Sequence, residues 1–398
     1  MQPSSIFNRI TSNGKFVPEV DGLRFIAIFA VVIAHIDGFF TDKVNELLHQ
    51  QDKWLSLFDY ILQGGGIGVS LFFVISGYIL GLPFANQYLG DGKKVVLRSY
   101  FIRRLTRLEP PYMLCMIGLF FILIFVLHKY TLSELLPSLM ASLTYTHNIF
   151  WDRYTLPLIN GVAWSLEVEV QFYIMAPLLA RIFLLPAAKR RSLIILICIA
   201  MIAGRSIYQL PSRSILDSIQ YFMTGFLLAD LKVTNTTLKI KQPWVLAIGI
   251  PALLLAFILK MILPNNDPDL WLNMGLFVVI AIFNYLCLFH GFINGFLTNR
   301  IIYTIGGMCY SIYLLHTVVI SAFGSKFISG FFFDSLYLNL ALFNVLQICL
   351  IMAVSVTYFV LIERPCMDKY WPQKLLSFFR GRSARSWKTI PYLLRLRK

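Results

Sequence analysis

Charged residues are scarce in this chain: they make up 14% of its 398 residues, whereas 58% are apolar. Apolar runs close to the ~20 residues that cross a bilayer recur along the whole length. No polar stretch is long enough for a soluble domain of useful size. The composition therefore predicts an all-α, polytopic membrane helical bundle. No small-residue cleavage site follows the first apolar run, so we expect a retained helix rather than a signal peptide.

Cysteine patterns that would indicate a metal site or a disulfide framework are also lacking. The six cysteines lie in or next to apolar segments, and no short spacing pairs them. We therefore expect no bound metal and no disulfide scaffold. Neither an internal repeat nor a Gly/Ser-rich linker divides the chain. The simplest division is one membrane domain, residues 1–365, followed by a short basic tail, residues 366–398.

Acidic residues are few: 20 Asp and Glu stand against 35 Lys and Arg, a formal net charge of +15. Such a charge can indicate nucleic-acid binding, but ten Lys/Arg and one Asp lie between Arg364 and the C-terminus. A basic tail after the last membrane helix is typical of the cytoplasmic side, where it meets anionic lipid headgroups. We expect no nucleic-acid partner. The tail either lies on the inner leaflet through its aromatic residues or is solvated.

The charges between the apolar segments predict how the chain crosses the membrane, because Lys and Arg gather on the cytoplasmic side. Residues 41–63 hold four acidic and two basic residues and are expected outside, whereas residues 85–109 hold six Lys/Arg and two acidic residues and are expected inside. Residues 133–150 are typical of a re-entrant or interfacial segment. If they do not cross the membrane, Lys189–Arg191 lie on the cytoplasmic side, as the charge rule requires. We predict about ten spanning helices with both termini cytoplasmic, near residues 20–40, 64–84, 110–128, 162–185, 192–209, 214–231, 243–263, 270–290, 301–323 and 338–362.

Arg24 and His35 are ionisable residues within the first apolar segment. They are eleven residues apart, which at about 100° per residue places them within ~20° of one helix face, ~16 Å apart along the axis. Ionisable side chains inside a membrane usually face a polar interior or a water-filled cavity, so the alignment favours one functional groove. The alternative is an Arg24 that reaches back to the interface and a His35 satisfied by a neighbouring helix.

Two further segments allow both a structural and a functional interpretation. Residues 64–80 begin with glycines, which close helix packing explains; no Gly-x-Ser-x-Gly elbow surrounds Ser76, so we predict that it lines a site rather than acting as a nucleophile. Arg104 and Arg107 are i,i+3 neighbours whose guanidinium groups suit a phosphate, or else they only set topology. The two prolines at 110–111 are expected in the first turn of the next helix.

Two carboxylates, Glu167 and Glu169, stand at the start of another predicted spanning helix. Ser165, Glu169 and Tyr173 recur at i,i+4 and share one face, while Glu167 shares a second face with Gln171. Carboxylates inside a membrane need partners such as Arg, His or water. For Glu169, the structural alternative is an Arg–Glu pair between helices.

Tyr310, Tyr313 and His316 are spaced by three and form a drifting stripe on a helix near the C-terminus. A buried, hydrogen-bonded side chain is the plain structural interpretation of His316. We expect Glu363 to anchor the last helix and Pro365 to end it.

These segments, taken in order, resemble the acyltransferase-3 family of membrane proteins from roughly Val17 to Pro365. Two positions depart from the family pattern: Ser70 stands where members often have Asp, and Val170 replaces the second Glu of a common Val-Glu-Glu-Gln. Each motif is weak alone, whereas the ordered set is specific. The matching positions are Asp21-Gly22-x-Arg24 with His35, Phe72-Phe73-x-x-Ser76-Gly77, Arg103-Arg104-x-x-Arg107, Trp164-Ser165-Leu166-x-x-Glu169, Tyr310-x-x-Tyr313-x-x-His316 and Glu363-x-Pro365.

The resemblance implies a multi-pass plasma-membrane enzyme, expected in a bacterial inner membrane. Such enzymes transfer an acyl group, often acetyl, from acyl-CoA to a hydroxyl of a cell-surface polysaccharide, glycolipid or related glycoside. No permanently bound cofactor is expected, because acyl-CoA is a donor substrate. The implied roles are catalytic for His35, Arg24 and Glu169, acyl-CoA binding for Arg103, Arg104 and Arg107, and substrate binding for Ser76, Trp164, Ser165, Tyr313 and His316.

Two other functions fit the same polar residues. A transporter or lipid flippase can line a conduction path with them, although many secondary transporters are built from repeats and none is visible here. A scaffold or sensor can use them only to hold helices together. Acceptor-dependent release of free CoA distinguishes the enzyme from both. Direct transfer and a covalent acyl intermediate are both compatible with the sequence.

Overall fold

The structure is a computed structural model that describes residues 6–10, 16–48, 62, 64–151, 155–208, 213–263, 269–328, 333, 335–368 and 370–373. This part of the chain is helical and contains no strand. Single tighter or wider turns extend some helices, at Gly64–Gly66, Ile122–Val126, Ala180–Leu184 and Phe359–Glu363. The helices are α1 (Pro18–Leu48), α2 (Ile67–Leu89), α3 (Leu97–Phe121), α4 (Leu132–Leu143), α5 (His147–Phe150), α6 (Ala163–Leu179), α7 (Ala187–Tyr208), α8 (Ile215–Val233), α9 (Gln242–Ile262), α10 (Leu270–Phe289), α11 (Asn294–Leu297), α12 (Arg300–Gly307), α13 (Cys309–Ile328), α14 (Leu336–Tyr358) and α15 (Arg364–Cys366).

Seven helices of the described part are long and apolar enough to cross a membrane: α1, α2, α3, α7, α9, α10 and α14. Helices α12 and α13 meet at a bend of 72° and make an eighth if they count as one broken span. The predicted all-α, multi-pass membrane bundle is thereby confirmed. Helices α6 and α8 occupy two further predicted segments but lie outside these seven. The number of ten and the cytoplasmic placement of the termini stay predictions.

Residues 133–150 form two short helices, α4 and α5. Helix α4 has 12 residues, about 18 Å of helix, whereas a bilayer core is ~30 Å thick. It begins with a capping box in which the backbone N–H of Thr131 donates to Glu134 Oε2 at 2.8 Å. This cap accounts for Glu134, and neither helix is long enough to cross alone.

The two prolines at 110–111 do not begin a helix, contrary to the sequence expectation. They lie inside α3, which runs unbroken through them. A helical proline leaves the carbonyl four residues earlier without its usual donor. For Pro110 that carbonyl belongs to Thr106, and the indole N–H of Trp371 donates to it at 2.9 Å. A side chain from the C-terminal end thus replaces the missing helix bond, which the local sequence gave no means of anticipating.

Close contacts at glycines position α2 against two helices. A Cβ on Gly68 would lie 2.2 Å from the carbonyl oxygen of Ala27 on α1, so only glycine permits this approach. On the opposite side, a Cβ on Gly77 would lie 2.1 Å from the carbonyl oxygen of Phe222 on α8, and Gly225 of α8 makes the reciprocal approach. The glycines of residues 64–80 therefore allow close helix packing, in agreement with the structural interpretation of this segment.

Candidate functional site

A pair of histidines joins α1 to α13 inside the bundle. Nδ1 of His35 lies 3.0 Å from Nε2 of His316, and the ring centroids are 5.0 Å apart. The two residues are 281 positions apart in the chain. His316 is fully buried, whereas His35 is exposed. The buried member of this histidine pair is therefore enclosed in protein, and the exposed member lies at the surface of the bundle.

The hydrogen bonds of His316 assign the tautomers of both rings. Its Nδ1 lies 3.0 Å from the carbonyl oxygen of Ile312 and 2.9 Å from that of Tyr313. A carbonyl oxygen only accepts, so Nδ1 carries the proton and Nε2 of the neutral ring holds a lone pair. His35 must then donate from Nδ1. In a neutral His35 this leaves a lone pair on Nε2, which is the state of a general base.

Arg24 lies in a separate charged group near the start of α1. Its Nη1 is 2.8 Å from Asp21 Oδ1, and Nε of Arg9 is 2.6 Å from Asp21 Oδ2. Asp21 is fully buried. Burial, together with the neighbouring Arg24 charge, lowers the pKa of Arg9 to about 10, so this residue stays cationic at neutral pH. We call Arg9, Asp21 and Arg24 the Asp21 group; sequence reasoning missed Arg9 as its third member.

Arg24 and His35 do share the unbroken helix α1, as their spacing predicts. Between them on that face, Ile28 and Val31 are buried at 2% and 5% exposure. The two polar side chains are therefore presented at different depths, with packed aliphatic side chains between them along the helix. We assign them different tasks for this reason.

Glu169 forms a third polar group with two hydroxyl residues. Ser76 on α2 donates to Glu169 Oε1, and Tyr173, one turn along α6, donates to the same oxygen at 2.5 Å. The predicted shared face of Glu169 and Tyr173 is confirmed. Two hydroxyls rather than an ion pair hold this carboxylate, and the charge of Arg24 acts on the same region. Ser76 and Glu169 come from segments 93 residues apart.

Tyr313 connects α13 to the start of α6. Its hydroxyl donates to the carbonyl oxygen of Val162 and accepts from Ser165 Oγ at 3.1 Å and from the backbone N–H of Leu166 at 3.2 Å. Trp164 is half-buried beside these residues. Tyr313, Ser165 and Trp164 are thus next to one another, as their proposed common site requires, but the first two use their hydroxyls to hold helices together.

The three arginines of α3 differ in their surroundings. Arg103 is exposed. Arg104 stacks over Tyr100 at 3.7 Å from the ring centroid, lies 5.5 Å from the Tyr173 ring, and donates to the carbonyl of Tyr100 at 3.0 Å. Nε of Arg107 is buried and has no hydrogen-bond partner within the described part of the chain. Arg104 thereby places a cation next to Tyr173, which binds Glu169. The Nε–H of Arg107 can donate a hydrogen bond to an anion.

The second face of α6 has its own partners. The backbone N–H of Asn148 donates to Glu167 Oε1 at 3.0 Å, and Gln171 donates to Asn148 Oδ1 at 3.0 Å. The shared face predicted for Glu167 and Gln171 is therefore real, and it serves to attach α5. Near the C-terminus, Glu363 accepts from the backbone N–H of Ser311 at 3.1 Å, which anchors the last helix as expected.

Gln347 on α14 is a buried polar residue that sequence reasoning missed. It is 0% exposed, and neither its amide nitrogen nor its amide oxygen has a hydrogen-bond partner among the described residues. Phe343 and Ile351, one turn before and after it, belong to the apolar cluster that includes Ile312 and Ile320, one turn either side of the second histidine. The sequence signal was weak, because Gln347 is one of three amide residues, with Asn339 and Asn344, in a largely apolar helix.

Carboxylate and imidazole groups do not gather into a metal site in the described ranges, where no group of three or more His, Cys, Asp or Glu could hold an ion. The polar groups that do gather are hydrogen-bonded pairs and ion pairs. Their chemistry is that of proton transfer and anion binding.

Comparison with known proteins gives a consistent result. Residues 17–364 match the family model described as an acyltransferase domain, Acyl_transf_3. The O-acetyltransferase OatA of Staphylococcus aureus (strain NCTC 8325 / PS 47) is 27% identical over 344 residues. The protein SACOL0978 of Staphylococcus aureus (strain COL), named as a candidate O-acetyltransferase, is 28% identical over 350 residues.

Both alignments cover 79% of this chain and 52% of the relative. The chain therefore spans about half the length of the curated relatives it matches. No solved structure matches it.

Proposed function

Because the chain belongs to the acyltransferase-3 family, we propose that it is a membrane-embedded O-acyltransferase. Its donor is acyl-CoA, with acetyl the favoured acyl group, and its acceptor is a hydroxyl of a cell-surface polysaccharide, glycolipid or related glycoside. The O-acetyltransferase names of its relatives support this reaction class. The observation that carries the proposal is the histidine pair, in which a buried ring orients an exposed one.

His35 is the general base of the proposed reaction. Its Nε2 takes the proton of the acceptor hydroxyl while the hydroxyl oxygen attacks the acyl carbon of the thioester. The carbon–sulfur bond then breaks, CoA leaves as a thiolate, and the thiolate receives the proton from His35. The products are the O-acyl ester and free CoA. His316 keeps its lone pair toward His35 throughout and so stabilises the protonated ring, as an orienting acceptor does in other base-catalysed transfers.

The donor binds at the other end of α1 in this proposal. Arg103, Arg104 and Arg107 bind the phosphates of CoA. Nε of Arg107, which has no hydrogen-bond partner among the described residues, supports that role. Arg24, held by Asp21, directs the thioester end toward the interior. The arm of CoA spans the distance from Arg24 to His35, which is about 16 Å along α1.

In this proposal, Glu169 orients the substrate between the CoA-binding arginines and His35. Its carboxylate already binds Ser76 and Tyr173, so a bound hydroxyl would exchange with one of them rather than enter an empty site. Trp164, Ser165 and Tyr313 line the same region. The site lies in a multi-pass membrane protein, which we place in the bacterial inner membrane.

The test is release of free CoA from acyl-CoA by purified protein in lipid nanodiscs, with and without glycan or glycolipid acceptors. We expect His35→Asn to lower the transfer rate by ~10²–10⁴, the usual contribution of general base catalysis. His128→Asn is the matched control, since His128 is exposed and far along the chain from the pair. Equal turnover of His35→Asn and the wild type would refute the assignment. Movement of an acceptor across the bilayer of sealed proteoliposomes, without CoA release, would favour the transporter.

A further inference from the structure

A short segment before α1, residues 6–10, brings a further cation to the start of that helix. Nε of Arg9 lies 2.6 Å from Oδ2 of Asp21, whose other carboxylate oxygen is 2.8 Å from Nη1 of Arg24. The side chain of Arg9 is 13% exposed, so it is largely withdrawn from solvent. This segment precedes the range 17–364 that matches the family model. Arg9 is therefore a feature that the family comparison does not account for.

Contacts with other helices fix this segment to the bundle. Oγ1 of Thr304 on α12 donates to Oδ1 of Asn8 at 3.3 Å, and Nε of Arg364 on α15 donates to the carbonyl oxygen of Asn8 at 3.2 Å. A Cβ on Gly307, at the end of α12, would lie 3.8 Å from the side chain of Arg9. The segment therefore packs against α1, α12 and α15, and the guanidinium group of Arg9 has a defined place.

Arg9 is also close to the arginines of the proposed donor site. Burial and the positive charges of Arg24 and Arg107 lower the pKa of Arg9 to about 10, although Asp21 acts in the opposite direction. Guanidinium groups from the N-terminal segment, α1 and α3 thus lie close enough to repel one another. An anion that binds between like charges relieves such repulsion.

Arg9 and Arg107 both have donors to offer an anion. Asp21 contacts Nε of Arg9, and a guanidinium group carries five N–H donors, so the Nη groups of the same side chain can bind a second oxyanion. Nε of Arg107 has no hydrogen-bond partner within the described part of the chain. Glu363 is a second carboxylate whose charge interacts with that of Arg107, and its Oε2 accepts from the backbone N–H of Ser311 at 3.1 Å.

We propose that Arg9 is a donor-binding residue, whose Nη groups bind a phosphate of acyl-CoA together with Arg107 while its Nε holds Asp21. A phosphate presents several charged oxygens, which allows contacts with more than one guanidinium group. This inference rests on the proposed function and adds to its donor site a segment outside the range that matches the family.

The test is the binding of CoA and of pantetheine to the purified protein in phosphatidylcholine nanodiscs, measured by isothermal titration. Pantetheine keeps the thiol arm of CoA but has no phosphate. Arg9→Gln removes the charge, and Arg9→Lys keeps a cation at the same position. Arg300→Gln is the matched control, because Arg300 is an exposed arginine at the start of α12, a helix that the segment contacts.

We expect Arg9→Gln to raise the Kd of CoA by about tenfold or more, the equivalent of one lost charge-assisted hydrogen bond, and to leave the Kd of pantetheine unchanged. Arg9→Lys should recover part of the affinity, because lysine still binds phosphate as a point charge. Arg300→Gln should bind both ligands as the wild type does. Dephospho-CoA, which keeps only the diphosphate, identifies the group: a loss that persists with it indicates the diphosphate, and a loss that disappears indicates the ribose phosphate.

An equal rise of both dissociation constants in Arg9→Gln would show that Arg9 only supports the position of Arg24. That result would overturn the inference, as would an unchanged Kd of CoA or a wild type that does not bind CoA. A change seen only in nanodiscs that contain phosphatidylglycerol would overturn it too and assign the cation to a lipid headgroup. The proposed function fails separately: a wild type that binds CoA as expected but transfers no acyl group refutes the function and leaves the phosphate contact in place.

Discussion

The histidine pair and the Asp21 group are both polar contacts of α1, yet they differ in how their polar groups are paired. In the Asp21 group, two arginines share one fully buried carboxylate, so both guanidinium groups have an anionic partner within the protein. In the histidine pair, one hydrogen bond joins Nδ1 of His35 to Nε2 of His316, and Nε2 of His35 takes no part in it. The ion pairs of the Asp21 group fix the position of Arg24, whereas the histidine contact leaves the second ring nitrogen of His35 available for reaction.

Removal of the shared carboxylate should have the largest effect on stability. Asp21→Asn leaves the guanidinium groups of Arg9 and Arg24 without a counter-charge, and we expect a loss of ~3–5 kcal/mol of unfolding free energy. Thermal unfolding in nanodiscs measures this loss. Asp42→Asn is the control, because Asp42 is an exposed residue of the same helix. If both variants unfold at the wild-type temperature, the Asp21 group is not a stabilising contact.

His316 should affect rate more than stability. His316→Phe removes the acceptor that orients His35, and we expect the transfer rate to fall by about 10²-fold or more, as when other catalytic imidazoles lose their orienting partner. His316→Gln keeps an acceptor oxygen near that position and should recover part of the rate. Equal rates in the Phe and Gln variants would show that His316 only fills space.

Gln347 is a buried polar residue with no hydrogen-bond partner among the described residues, in contrast with both groups. Gln347→Leu removes an unpaired amide from an apolar layer, so we expect unfolding to require ~1–3 kcal/mol more. Gln242→Leu, at an exposed position, should change stability little. A destabilised Gln347→Leu variant would mean that the amide has a partner in the working protein.

The smallest expected effect on stability comes from the hydrogen bond at the two prolines of α3. Trp371→Phe removes the indole donor to the Thr106 carbonyl while keeping an aromatic ring, and a loss of about 1 kcal/mol is expected. Trp244→Phe serves for comparison, because Trp244 is 63% exposed. Thermal unfolding of the two variants side by side provides the measurement, and identical curves would dismiss the contact.

Periodicity predicted the part of the candidate site whose contacts lie within one helix. Glu169 and Tyr173 are one turn apart, and the i,i+4 rule alone places them on one face. Glu167 and Gln171 followed the same rule. The prolines of α3 were misjudged, since whether a helix tolerates them depends on donors that come from distant parts of the chain.

The sequence by itself determined the helical, membrane-embedded class, because an apolar chain inside a bilayer has to satisfy its backbone hydrogen bonds within each segment. It also determined which residues on one helix share a face. Only the tertiary structure decided that His35 meets His316, that Arg9 joins Asp21, and that Ser76 meets Glu169. Those partners lie on separate helices, and the packing of side chains between helices, set by close contacts such as those at Gly68 and Gly77, is not encoded in the spacing along any one of them.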